Sequence, residues 1–417
     1  MAAVSEELSP ETDSVVDPVV DSASTALIRK PNFRIECGDA VSVLKKEADN
    51  SVDCVMTSPP YYALRDYHAE GQIGLERTLH DYLDHLMLVV SEVQRILKPT
   101  GVFWLNMGDT YYNPAVGTGG KKKGKKSDIT THYEDIQFES TKVYAPVPRK
   151  SLMGVPWRVA LTMLDRGWTL RNVAVYAKPN PLPHPVIDRL TASWEPVFMF
   201  TKSDKYFFDL DSVRLKPLGG MSTAVWNEVD NRTNLGTEDM GATPASRTHA
   251  IRKRKHAKGY TGNPLGKNPG DVWIISPDTD DDDNHQASFP ELLVSRCLKA
   301  GCPSEVCEVC NRPPIRARDG FNWCNCNAGR KPGIVLDPFV GSGTTCAVAA
   351  MLGFDSVGIE LKPQYAESAR KRVEQAASAR IDLQSNLHLT NRPRQLTILD
   401  LLDAAKAAEV KAAETSE

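Results

Sequence analysis

A doubly wound α/β fold, with a mostly parallel sheet and helices on both faces, is what this sequence predicts, and three stretches carry the expectation. Val335-Leu-Asp-Pro-Phe-Val-Gly-Ser-Gly-Thr-Thr345 reads as a buried strand ending in Asp337, a turn that needs Gly341 and Gly343, and a helix entered through Thr344 and Thr345. About one strand-and-helix unit later, Val357-Gly-Ile-Glu360 places an acid at the end of a second strand. Upstream, the apolar run Ser51-Val-Asp-Cys-Val-Met56 stops at Thr57-Ser58-Pro59-Pro60-Tyr61-Tyr62, where two consecutive prolines end any ladder and fix the backbone in an extended shape.

The remaining elements follow in order. Residues 1–30, rich in Ser, Glu, Asp and Val without period, predict a disordered leader. Phe33 to Asp39 alternates like a strand, Ala40 to Lys46 suits a short helix, and Leu79 to Leu97 carries Leu83, Leu86, Val90, Val93 and Leu97 on one helical face, closed by Lys98-Pro-Thr-Gly101. Val102 to Asn106 is a core strand, and 113–146 a patternless basic loop. Pro156 to Arg166 predicts a helix and Leu170 to Tyr176 a strand; Glu195 to Phe200 and Lys205 to Phe208 predict an antiparallel hairpin. Residues 216–270 have little apolar pattern and read as an insertion. A helix from Leu292 to about Ala300 precedes a cysteine-rich stretch at 300–328; a last helix runs from Pro363 to about Ala379, before a peripheral tail at 381–417. The ordered domain is thus expected over 31–380.

With 41% hydrophobic and 25% charged residues, 417 residues can bury a large core in one elaborated domain or two. No apolar run approaches a bilayer-spanning length and the N-terminus is acidic, so neither a membrane anchor nor an export signal is read, and the expected location is cytoplasmic. A formal charge of -3 gives no global bias toward nucleic acid, so local patches matter more. Lys121 to Lys126 and Arg252 to Lys258 are dense basic runs, and Asp280 to Asp283 offsets them. The first has an equally good reading as a solvated loop; the second, inside the insertion, reads better as a phosphate-contacting surface.

Two glycines at a strand's carboxyl end let backbone approach a ligand, and an acid ending the next strand accepts bonds from ribose hydroxyls, so the pair describes a nucleoside-bearing cofactor. The turn lacks the lysine of a phosphate-binding loop and departs from G-x-G-x-x-G, which disfavours nucleoside triphosphates and NAD. Ser58-Pro-Pro-Tyr61 offers something different. Prolines lack N–H groups, so carbonyls nearby and the Ser58 oxygen form a set of acceptors. An exocyclic nucleobase amine is a poor nucleophile because its lone pair is delocalised; accepting bonds from its two N–H groups exposes that lone pair. Tyr61 or Tyr62 can stack on a base flipped from a duplex.

These stretches resemble amino-directed DNA methyltransferases that use S-adenosylmethionine, in the arrangement where the catalytic motif precedes the cofactor motif. The resemblance covers about 33–370 and implies a Rossmann-like S-adenosylmethionine-dependent methyltransferase fold. It implies catalytic roles for Ser58, Pro59, Pro60 and Tyr61. It assigns the cofactor to Asp39, Thr57, His285, Phe289, Asp337, Phe339, Gly341, Gly343, Thr344 and Glu360, with Asp39 on the adenine side and Glu360 on the ribose. Ser58, where many members carry Asp or Asn, is the pattern associated with cytosine N4; adenine N6 is the alternative. Double-stranded DNA is the implied partner, and the resemblance admits a cognate restriction endonuclease. The rivals are an RNA or protein amine methyltransferase and a non-catalytic DNA-binding protein.

Five of the nine cysteines lie between Cys302 and Cys326 in a chain without an export signal, which argues against a disulfide framework. Cys307-x-x-Cys310 and Cys324-x-Cys326 have spacing that suits structural zinc, with Cys302 a spare ligand and reduced free thiols the alternative.

Overall fold

The computed structural model describes residues 29–112, 146–181, 186–215, 267–277, 289–317 and 320–389. The leader to residue 28, both basic runs, the aspartate run, His285 and the tail from residue 390 lie outside them. In chain order the first elements are β1 (Phe33–Cys37), α1 (Ala40–Leu44), β2 (Val52–Thr57), α2 (Leu79–Ile96) and β3 (Leu97–Asn106). Then come α3 (Val155–Asp165), β4 (Thr169–Ala177), β5 (Trp194–Thr201) and β6 (Val272–Ile274). The C-terminal part holds α4 (Glu291–Gly301), β7 (Val306–Cys307), β8 (Ile315–Ala317), β9 (Gly320–Asn322), β10 (Arg330–Lys331), β11 (Ile334–Asp337), α5 (Thr344–Leu352), β12 (Asp355–Glu360) and α6 (Pro363–Leu389).

One eight-stranded sheet has the order β1-β12-β11-β2-β3-β5-β4-β6. From β1 to β3 every pairing is parallel; β5 is inserted antiparallel between β3 and β4, and β6 runs parallel to β4. Alternate residues of each strand feed two cores. Val55, Phe103 and Phe198 pack with α1, α2 and α3 on one face, while Cys54, Met56 and Trp104 pack with α4, α5 and α6 on the other. No helix among the described residues is long and apolar enough to cross a membrane.

The topology fixes where a ligand can sit. From β11 the chain crosses through α5 to β12 on one side, whereas from β2 it crosses through α2 to β3 on the other. The carboxyl ends of β11 and β2 are therefore neighbours at the point where the winding reverses, which is where open α/β sheets leave a crevice.

Three sequence expectations are corrected. The predicted hairpin of residues 195–200 with 205–208 does not form: β5 already has β3 on one edge and β4 on the other, so Lys205 to Phe208 has no edge to join. Lys98 to Gly101 does not close a helix in solvent but lies within β3. Lys98 Nζ bonds Asp53 Oδ1 at 2.7 Å with both side chains buried, and any Cβ at Gly101 would collide with Leu97. The final helix runs to Leu389, ten residues past the expected end. Arg29, inside the stretch expected to be leader, makes a two-pronged pair with Asp355 at 2.9 and 2.8 Å.

Candidate active site

The glycine turn takes its shape from Asp337. Its Oδ1 accepts from Thr57 Oγ1 at 2.6 Å and from the Phe339 N–H at 3.0 Å, and its Oδ2 accepts from Thr345 Oγ1 at 2.6 Å. One buried carboxyl thereby ties the end of β2 to the turn and to the first turn of α5. Burial raises its pKa to about 6 against these three donors, which favour the charged form.

Two glycines of the turn do different work. Gly341 adopts φ 53° and a Cβ there would meet nothing within 4 Å, so bare backbone faces open space. Gly343 adopts φ 93° and a Cβ would lie 2.9 Å from Ala369 Cα; it lets α5 and α6 approach. Glu360, at the end of β12, accepts the Gly341 N–H at 3.0 Å and the Lys362 N–H at 2.9 Å, one bond per carboxylate oxygen. The carboxylate keeps acceptor capacity for a ribose hydroxyl. Burial raises the Glu360 pKa despite these donors.

A cleft opens over this turn. Asp39, Ser58, Pro60, Phe289, Asp337, Phe339, Gly341, Thr344 and Glu360 line it, so residues from both motifs share one cavity. Asp39 also caps α1, accepting the Ser42 N–H at 2.8 Å. The other expected site residues stand behind this lining. Thr57 is buried on Asp337, Pro59 is buried toward α2 beside Leu86 and Phe103, and Gly343 supports helix packing. His285 lies outside the described residues.

The catalytic stretch is held by side chains. Ser58 Oγ donates to Tyr61 Oη at 3.1 Å, and Tyr61 Oη donates to Glu195 Oε2 at 3.1 Å. Glu195 also accepts from Asn106 Nδ2 at 3.2 Å and pairs with Lys178. Burial, and then the Glu195 carboxylate, push the Tyr61 hydroxyl well above its usual pKa, so it stays a neutral donor. A Cβ at Gly108 would fall 2.5 Å from Tyr61 Cε2, so that glycine makes room for the ring. Two expectations change here. Tyr62 is 1% exposed and packs on Tyr82 at 5.3 Å between centroids, so it is core and cannot stack on a base. The Pro60 carbonyl already accepts from Tyr82 Oη at 2.9 Å, which anchors it toward the core.

Sequence reasoning missed Glu195, Arg65, Tyr67, Gln72, Lys362 and Tyr365. The last five line the cleft, and the loop holding Arg65 to Gln72 is tied by the Tyr67 N–H to Gln72 Oε1 at 2.8 Å and Gln72 Nε2 to the Arg65 carbonyl at 3.1 Å. Arg372 was missed too: it joins Thr344 Oγ1 at 3.1 Å to Glu291 at 2.7 Å, bracing the start of α5 against α4. The four cysteines do come together, with Sγ atoms all within 4.8 Å of one another.

The reversal of winding, the glycine turn and the acid ending β12 define a Rossmann-like α/β fold with a nucleoside-type cleft at its switch point. The chain belongs to the N6/N4 DNA methylase family, whose profile matches residues 52–371, and it is a DNA amino-methyltransferase. It is 33% identical to the Type II methyltransferase M.XycI of Xanthomonas campestris pv. cyanopsidis, over 81% of this chain and 86% of that protein. It is 31% identical to M.SmaI of Serratia marcescens, over 82% and 90%. Among solved structures it is similar to the PvuII DNA methyltransferase (cytosine-N4-specific), at 18% identity and TM-score 0.47, covering 91% of this chain and 94% of that one.

Proposed function

We propose that the protein transfers a methyl group from S-adenosylmethionine to the N4 amine of cytosine in double-stranded DNA. The observation that carries transfer to an exocyclic amine is the orientation of Ser58, and a serine in place of Asp or Asn is what favours cytosine. Its proton is committed to Tyr61, so its oxygen lone pairs are left to accept from an amine in the cleft that the glycine turn shares.

The residues of the cleft fit the cofactor: Gly341 leaves space where a side chain would stand, Glu360 can accept from the ribose, and Phe289 offers an apolar wall. When bound, S-adenosylmethionine supplies an electrophilic methyl group on a sulfonium. The Ser58 oxygen accepts from an amine N–H group and pulls the amine toward tetrahedral geometry, freeing its lone pair, while Pro59 and Pro60 fix the backbone that presents Ser58. The freed lone pair would take the methyl group as the sulfonium gave it up, and the surplus amine proton would leave to water. Asn106 and Lys178 hold Glu195, Glu195 holds Tyr61, and Tyr61 holds Ser58. Approximation of the two reactants is worth roughly 7–11 kcal/mol in such a site.

DNA would be engaged by the excursions that carry the basic runs. Both are pinched at their roots, by the Tyr111–Leu152 bridge and by the Leu215–Lys267 bridge, whose two bonds are 3.0 Å each. The pairing with a cognate restriction endonuclease, and residence in the cytoplasm beside the DNA, belong to the same reading. Adenine N6 transfer is the second reading, since the acceptor set suits either amine.

Labelled S-adenosylmethionine offered with duplex DNA, RNA and protein acceptors tests the polymer: label is expected in duplex DNA, and label only in RNA or protein overturns the reading. Calorimetry showing no cofactor affinity in folded protein would favour a non-catalytic DNA-binding role instead.

A further inference from the structure

Between α4 and β11 the chain leaves the sheet and comes back to its starting point. Gly333 returns so close to the exit that a Cβ there would strike the Pro303 carbonyl and lie 2.9 Å from Cys302 Sγ. The intervening residues form two small ladders, β7 with β10 over two residue pairs and β8 with β9 over three. Ladders of that length do not stand alone in water. The local apolar core cannot support them: Val306 and Cys307 are buried, but Val309 is 69% and Ile315 71% exposed.

The cysteines supply the missing support. Their four sulfurs lie within 4.8 Å of one another, and a tetrahedral ion with metal–sulfur bonds of about 2.3 Å needs sulfurs roughly 3.8 Å apart. Both pairs are presented by the same device. Asn311, directly after Cys310, has φ 54°, and Asn327, directly after Cys326, has φ 48°; in each case the chain turns left-handed once the second thiol is placed. The Asn311 N–H closes the first turn on the Cys307 carbonyl at 2.9 Å, and the Glu308 N–H bonds the Gly329 carbonyl at 3.0 Å, bringing the two halves together. Cys302 is excluded from the set: it is 2% exposed, packed in the core with its thiol toward the Pro303 carbonyl.

We infer that Cys307, Cys310, Cys324 and Cys326 bind one zinc ion as a closed tetrathiolate that clasps residues 302–333 into a knuckle. With four protein ligands the ion keeps no open position, so its role is structural. None of the four is among the described residues lining the cleft, so the clasp is separate from the methyl-transfer chemistry. It holds in place the segment that delivers β11, and with it Asp337, to the sheet.

The full chain, purified without added metal or chelator and assayed by mass spectrometry for metals, is expected to carry one zinc per chain. Zinc at less than about a fifth of that, or iron in its place, would overturn the inference. Cys326→Ser, at an exposed ligand, should lose zinc at least tenfold more readily to a competing chelator, while Cys37→Ser, at an exposed cysteine elsewhere, should retain it. Equal retention by both would overturn the ligand set. Should Cys326→Ser fail to fold, the unmodified protein decides: under stepwise mercurial titration, zinc release should track the modification of four thiols. Release without thiol modification contradicts the tetrathiolate.

Discussion

The two walls of the cleft are built on different plans. On the cofactor wall each carboxylate is held from several directions: Asp337 takes three protein donors and Glu360 two backbone N–H groups. On the catalytic wall the side-chain bonds run in single file, Ser58 to Tyr61 to Glu195, with Asn106 and Lys178 at the far end. A wall of redundant bonds tolerates the loss of one and keeps its shape, whereas a single file transmits the loss of any member to its tip. The cofactor wall should therefore govern affinity and the catalytic wall the rate, and substitutions on each can break that division.

The largest effect is expected at the tip. Ser58→Ala should lower methyl transfer by at least about 100-fold while cofactor affinity, measured by calorimetry, changes less than about threefold. A parallel loss of affinity would contradict the division of labour. Next, Glu360→Ala should weaken cofactor binding by about 10- to 100-fold, on the scale of lost hydrogen bonds to a charged group, and recover much of its rate at saturating cofactor. An unchanged dissociation constant would remove Glu360 from the cofactor wall. Third, Glu195→Gln keeps an oxygen for Tyr61 but loses the ion pair with Lys178; a fall of about tenfold in turnover with little change in cofactor affinity is expected. Full activity would show that the file ends at Tyr61.

A separate effect, on stability and not on turnover, concerns Asp337 and pH. Its folded pKa is raised to about 6 from 3.8, so between those values the folded chain binds more protons than the unfolded one, and stability falls as pH rises. Asp337→Asn should remove that slope. The unfolding free energy of the parent minus that of the variant should drop by roughly 1–3 kcal/mol from pH 4 to 6, read from denaturant melts. A difference that rises with pH would mean that the three donors outweigh burial.

The walls also differed in legibility. Asp337, Gly341 and Glu360 announce themselves because a glycine turn and a strand-ending acid are local signals, and the switch point follows from the order of elements. What the motif did not disclose is that Asp337 spends its oxygens on Thr57 and Thr345, a tie across 280 residues. Glu195 had no local signal at all. A charged residue ahead of Pro196 and an apolar strand reads as a strand boundary, and only the antiparallel insertion of β5 beside β3 carries it to Tyr61. The same insertion defeated the hairpin expected at 205–208. Tyr61 and Tyr62 were indistinguishable in sequence, since their separation depends on Gly108 making room for one and Tyr82 receiving the other. The loop from Arg65 to Gln72 lacks periodicity, so its place in the cleft lining was invisible.

Nucleoside mass spectrometry on DNA from a methylation-free host expressing the protein tests the central claim most directly. N4-methylcytosine is the expected product, absent when Ser58→Ala replaces the parent chain. N6-methyladenine without N4-methylcytosine would contradict the cytosine assignment, and an undiminished product from Ser58→Ala would contradict the role given to the Ser58 oxygen.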